Sequence, residues 1–192
     1  SIFRRMRKSP TSLIIQEDYL QLSDYAAALM APLILRSMRI WEEQFRGLNL
    51  DPVVQEEHRS QPPTPVIQSI LSYRLWRRLR QSGVELSWVI NWYENQVIDK
   101  ALIAGVRKAY PGIRIIGTQI FIHSPNYLSL YPSQSEFDAG LTPDLMLQTG
   151  ESQCKTALKY APAIPCRAAA ALRYAHIYTE QCSTQSMSTQ KE

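Results

Sequence analysis

The stretch from Trp88 to Gln119 constrains the fold more than any other. A short apolar run, Trp88-Val89-Ile90-Asn91-Trp92, ends in Tyr93-Glu94-Asn95-Gln96. A helical pattern follows, with Ile98, Leu102, Val106 and Ala109 on one side and Asp99, Lys100, Arg107 and Lys108 elsewhere. Pro111-Gly112 breaks it, and a second apolar run, 113–117, closes at Thr118-Gln119. Strand, helix and strand in this order predict a parallel pair joined by a right-handed crossover. In open α/β sheets, ligands gather beyond the carboxyl ends of the strands. Glu94, Asn95 and Gln119 fall at that edge.

The flanking chain extends the same theme. Residues 66–81 predict a helix with Ile67, Ile70, Leu71, Leu75 and Leu79 on one face; Arg74, Arg77, Arg78 and Arg80 mostly mark other faces, towards solvent or an absent partner domain, and Gly83 ends the helix. Residues 84–92 read as a buried strand centred on Val89 and Ile90. Pro143-Asp144 precedes a third strand, 145–148, and Gly150 turns into a helix over 151–160. A fourth strand is expected over 167–172, weakened by its alanines. Strands alternating with helices imply a parallel, Rossmann-like α/β sheet with helices on both faces.

Ahead of this domain, residues 1–65 read as a helical N-terminal extension and a proline-rich loop. Ser23 or Asp24 is placed to cap a helix through Ala26, Ala27, Ala28, Leu29 and Met30, and Pro32 should kink or restart it. The segment 48–65, with Asp51-Pro52 and Gln61-Pro62-Pro63-Thr64-Pro65, reads as a loop with one helical turn near 53–58. Residues 121–139 are irregular and rich in tyrosine and proline. The α/β domain is placed at 66–178, and 179–192 is a polar, low-complexity tail expected to be disordered.

Charge and cysteine content narrow the function classes. With 21 basic against 17 acidic residues and no nucleic-acid motif, nucleic-acid binding is disfavoured, although the arginines of 74–80 would be its natural face. Cys154, Cys166 and Cys182 lack metal spacing, and the isolated His58, His123 and His176 form no ligand set, so no metal is expected. A reduced, cytoplasmic chain is the simplest reading. The apolar run 25–35 is too short for a bilayer span, which needs about 20 residues. The basic clusters allow peripheral association with the inner face of a membrane.

At Tyr93-Glu94-Asn95-Gln96 the sequence resembles glycosyltransferase-like proteins of bacterial surface-carbohydrate biosynthesis, of the type with two Rossmann domains (GT-B). The same order of motifs continues through Gly117-Thr118-Gln119, Ser124-Pro125 to Tyr131-Pro132, Pro143-Asp144 with Gly150, and Ala171-Leu172-Arg173-Tyr174. Upstream, Glu17-Asp18-Tyr19-Leu20, Arg46-Gly47-Leu48 and Leu71-Ser72-Tyr73-Arg74 also fit, so the resemblance runs over 17–178. Two positions depart from it. Thr118 stands where a tyrosine is usual, and Ile120 where related proteins carry a histidine, a role His123 could take from the loop.

The resemblance implies the acceptor-side half of a two-domain enzyme, with a nucleotide-sugar donor as substrate, a glycan acceptor, no other cofactor, and a C-terminal Rossmann domain as the missing partner. Glu94 is then the candidate catalytic carboxylate, able to take a proton from an acceptor hydroxyl or stabilise charge at the anomeric carbon. Helix-start acids also occur for the dipole alone, worth roughly 0.3–1 kcal/mol. Asn95, Gln119 and His123 are candidate substrate contacts, although Asn95 would equally serve as an N-cap and Gln119 as a loop anchor. Arg173, near the implied hinge, would pair with a donor phosphate or with a hinge carboxylate. The rival reading is a non-catalytic carbohydrate- or nucleotide-binding module, or an inactive truncated fragment.

Overall fold

The computed structural model describes residues 8, 13–38, 44–119, 121, 123, 124 and 126–169. Contacts divide the chain into two compact groups, residues 1–85 with 104–111 and residues 86–103 with 112–192.

The first group is built on two packed helices, α1 (Leu22–Ser37) and α3 (Pro63–Gln81). Alanines favour α1, and a capping box opens it, with Gln21 at the N-cap and Asp24, three residues on, accepting from the Gln21 backbone N–H at 3.0 Å. The cap is therefore Gln21, not Ser23 or Asp24. The helix does not restart at Pro32: α1 runs as one helix to Ser37 with the proline inside it. Asp24, Ala28 and Pro32 recur every fourth residue on the buried face, and packing against α3 offsets the missing backbone donor. Leu20, Ala28 and Leu71 centre the core, with Tyr25, Ile67, Ile70 and Leu75 against them.

Asp24 is fully buried and gathers the arginines of α3. Arg78 donates from Nε at 2.7 Å and Nη2 at 3.1 Å, Arg74 from Nη1 at 3.0 Å, and Arg77 lies at 3.6 Å. Arg74 and Arg78 thus face a buried acid, not solvent. Burial acts to raise the Asp24 carboxyl, but hydrogen bonds from Arg78, the Gln21 backbone and Arg74 outweigh it and hold it well below the usual carboxylate range.

Segment 48–65 is not a loop. Leu48–Asn49 (β2) pairs with Gln44–Phe45 (β1) around Arg46 and Gly47, both at positive φ, and helix α2 (Asp51–Ser60) follows. The prolines mark helix starts: Pro52 stands in the first turn of α2, and Pro62 and Pro63 take the N-cap and first position of α3. Backbone N–H groups there have no intrahelical partner, so proline removes nothing. Gly83, at φ 77°, closes α3, and Val84 N–H reaches the Leu79 carbonyl at 3.0 Å.

The second group holds the parallel sheet, β3 (Trp88–Trp92), β4 (Arg114–Gln119), β5 (Leu145–Thr149) and β6 (Cys166–Ala169), in the order β3-β4-β5-β6. Register aligns Ile90 with Ile116, Gly117 with Met146, and Met146 with Cys166. One face, carrying Val89, Ile115, Gly117, Gln119, Met146 and Gln148, is buried. Helix α4 (Val97–Ala109) begins on that face, where Asn91 Nδ2 donates to Asp99 at 3.2 Å. Helix α6 (Glu151–Tyr160) packs on β5 and β6, its Ala157 beside Met146 and Cys166. Between them lies α5 (Gln134–Asp138), capped by Ser133 and tied by a Lys100–Glu136 ion pair. Gly117 is sterically required: a Cβ there would meet the Pro143 ring at 2.8 Å and Tyr93 at 3.0 Å.

Within the second group α4 and α6 lie on one face of the sheet rather than on both, because a sheet in chain order places right-handed crossovers on one side. The expectation of a buried strand over 84–92 also fails. β3 begins at Trp88, and Trp88, Ile90 and Trp92 are 55%, 66% and 45% exposed. No helix among the described residues is long and apolar enough to cross a membrane. Residues 170–192, including the end of the expected fourth strand and the tail, lie outside the described residues.

Candidate functional site

The turn after β3 is organised by Asp99. This buried carboxylate accepts from the backbone N–H groups of Glu94 and Gln96, both at 3.0 Å, and from the Asn91 amide at 3.2 Å. It sits in the first turn of α4, where the helix dipole favours an acid. Burial pushes its pKa up and the nearby Glu94 charge adds to this, against the opposing backbone hydrogen bonds. The sequence reading sets Asp99 off the apolar side of the helix and gives it no role; the signal for its role is the Gln96-x-x-Asp99 spacing, in which the acid caps back onto the chain ahead of the helix.

Asn95 occupies left-handed backbone, φ 57°, which asparagine tolerates better than most residues. Its Oδ1 accepts from the Tyr93 hydroxyl at 2.9 Å, and its Nδ2 donates to the Ser129 and Tyr131 carbonyls, each at 3.2 Å. Burial, then the charges of Glu136 and Asp99, push the Tyr93 phenol well above its ordinary pKa, so it remains a donor. Gln119 is fully buried: Nε2 donates to the Leu130 carbonyl at 2.7 Å, and Oε1 accepts from Gln148 Nε2 at 2.5 Å. Both amides therefore hold the chain between β4 and β5 over the sheet edge. Gln148, in register with Gln119, belongs to this network although the sequence reading passes over it.

Glu94 differs from its neighbours. It is half-buried, and its oxygens accept from the Trp92 indole N–H at 2.6 Å and the Gln96 amide at 2.8 Å. Both donors are neutral, and no described lysine or arginine pairs with it. The carboxylate is thus fixed at the strand's carboxyl end without being neutralised by a cation, as a proton acceptor or hydroxyl ligand requires.

An aromatic row crosses the same edge. Trp92 stacks on Phe121 at 5.4 Å and 11°, Phe121 meets His123 at 5.4 Å, His123 meets Tyr131 edge-on at 5.5 Å, and Tyr131 stacks on Tyr160 at 4.9 Å. His123 Nδ1 lies 3.4 Å from both the Tyr131 hydroxyl and the Ser124 carbonyl, its own carbonyl accepts from Gln153 at 3.0 Å, and its enclosed Nε2 has no hydrogen-bond partner. Glu94, Asn95, Gln119 and His123 are therefore all brought to one end of the sheet. Arg173 lies outside the described residues. No group of three histidine, cysteine or acidic residues able to hold a metal occurs among the described residues.

Comparison with protein-family models, with curated proteins and with solved structures gives no match.

Proposed function

We propose that this chain is the acceptor-side α/β domain, Rossmann-like and half of a GT-B arrangement, of a glycosyltransferase-like protein of bacterial surface polysaccharide biosynthesis. In this reading a glycan acceptor binds at the carboxyl edge of the sheet. Glu94 takes the proton of the attacking hydroxyl, His123 contacts the acceptor from the loop, and the nucleotide-sugar is held on a second Rossmann domain, with Arg173 directed at its phosphates. The protein works in the cytoplasm, at the inner face of the membrane.

The observation that carries the reading is the Glu94 carboxylate held by neutral donors beside a half-exposed indole ring. A pyranose presents C–H bonds on its face and hydroxyls at its rim. An aromatic plate next to a carboxylate complements both. The test is titration of neutral oligosaccharides into the chain and into Glu94→Gln. The variant keeps the shape but halves the accepting power, and affinity should fall about tenfold, near 1.4 kcal/mol. Equal affinities would remove Glu94 from the site.

A second reading is favoured by one observation. The Asn95 and Gln119 amides are engaged with carbonyls of the chain between β4 and β5, whereas the Glu94 carboxylate is bonded only within its own turn. A non-catalytic carbohydrate-binding module needs no more than this. It is distinguished by glycan binding without turnover when the second domain is supplied.

A further inference from the structure

We propose that an extended glycan lies along β3, over the open face formed by Trp88, Ile90 and Trp92, with one end at Glu94. The inference rests on the reading of the Glu94 edge as sugar-binding and adds a second subsite to it, centred on Trp88.

Side chains two apart on a strand share a face, so these three form one strip. Trp88 and Trp92 stand about 13 Å apart along it, at roughly 3.3 Å per residue, a span that a single sugar ring does not bridge. Parallel sheets are ordinarily covered on both faces, yet α4 and α6 both lie on the opposite one. Trp92 stacks on Phe121 at 5.4 Å, which fixes its plane. Trp88 carries the Arg114 guanidinium 5.8 Å from its ring centroid, and Arg114 is itself exposed.

The strip therefore has an aromatic plate at each end and a hydrogen-bonding group of opposite character beside each plate, donors from Arg114 and acceptors from Glu94. Pyranose C–H faces meet the negative face of an aromatic ring, and the rim hydroxyls find both kinds of partner. An apolar helix or a second copy laid on the strip would cover the Glu94 carboxylate without bringing it a cation, a costly desolvation. A neutral, hydroxylated chain suits the strip better than a hydrophobic protein surface does.

The test is calorimetric titration of the full chain with neutral hexasaccharides (cello-, malto- and chito-hexaose) and their disaccharides. At least one hexasaccharide should bind roughly tenfold or more tighter than its disaccharide. Trp88→Ala should abolish that length advantage and leave disaccharide binding unchanged, and Trp88→Phe should restore part of it. Trp92→Ala should weaken both lengths. In the unaltered protein, the Trp88 indole N–H resonance should shift with the hexasaccharide and stay still with the disaccharide, a readout independent of variant folding. If Trp88→Ala or the Trp88 resonance shows no response while Glu94→Gln still weakens binding, the strip is refuted and the Glu94 site survives. If no saccharide binds, or Glu94→Gln has no effect, both fall.

Discussion

Asp24 and Glu94 are acids in comparable places, one in the first turn of a helix and the other just ahead of one, and they have been given opposite surroundings. Asp24 is sealed under three arginines at 3.6 Å or closer. Glu94 is half-buried and is held only by an indole N–H and a carboxamide. A charge enclosed in protein persists only when compensated, and the compensating charges then leave nothing for a ligand. A charge held by neutral dipoles is oriented without being neutralised. The contrast separates a joint between helices from a candidate reactive group more cleanly than residue type does.

The largest effect should come from Asp24→Ala. It leaves the arginines uncompensated, and the cost should be about 3 kcal/mol, the lower end for breaking a buried pair, because Arg74 and Arg77 can reach water. Chemical denaturation measures it; a loss below about 1 kcal/mol would break the contrast. The same acid has a pH signature. Its folded pKa lies below its unfolded value, so its stabilisation is complete above about pH 4 and is lost as pH falls towards the folded value. Asp24→Ala should lack that acid limb.

A smaller loss, about 2 kcal/mol, is expected for Gln119→Ala, which strands the Leu130 carbonyl and the Gln148 amide in the interior. Glu94→Gln should change stability least, by no more than about 0.5 kcal/mol, because the replacement amide oxygen still accepts from Trp92. Thermal melts of the two variants side by side sharpen the contrast. A destabilisation of Glu94→Gln matching that of Gln119→Ala would class Glu94 with the structural acids.

Much of the α/β core was legible in the sequence because its signals are local. Apolar runs at 88–92 and 145–148, the break at Pro111-Gly112 and the turn at Gly150 mark real elements, and the helix over 151–160 has the predicted limits. What was not legible depends on the far partner. Nothing in 74–80 tells that Arg74 and Arg78 meet an acid some fifty residues earlier. Nor does the helical pattern tell that Asp99 is buried, held inside by N–H donors from Asn91, Glu94 and Gln96. The prolines of 52–65 suggested a loop because proline is disruptive within a helix but neutral in its first turn, and a count of prolines does not show which applies. That Glu94, Asn95 and Gln119 share the carboxyl edge beyond β3 and β4 was legible, but which of them hold the chain between β4 and β5 was not.

The order β3-β4-β5-β6 has a consequence for how the chain reaches its structure. Each described strand pairs with the one that follows it, one crossover away, so no pairing among the described strands waits for a distant segment. Loop-closure entropy is met in small instalments, and parallel sheets, ordinarily slow to assemble, gain a route that advances from one neighbour to the next. On a ribosome, β3 with α4 can await β4, and β4 can await β5, each arrival extending an edge already formed. Hydrogen exchange pulse-labelled on the nascent chain should then find protection appearing in β3 and β4 before β6.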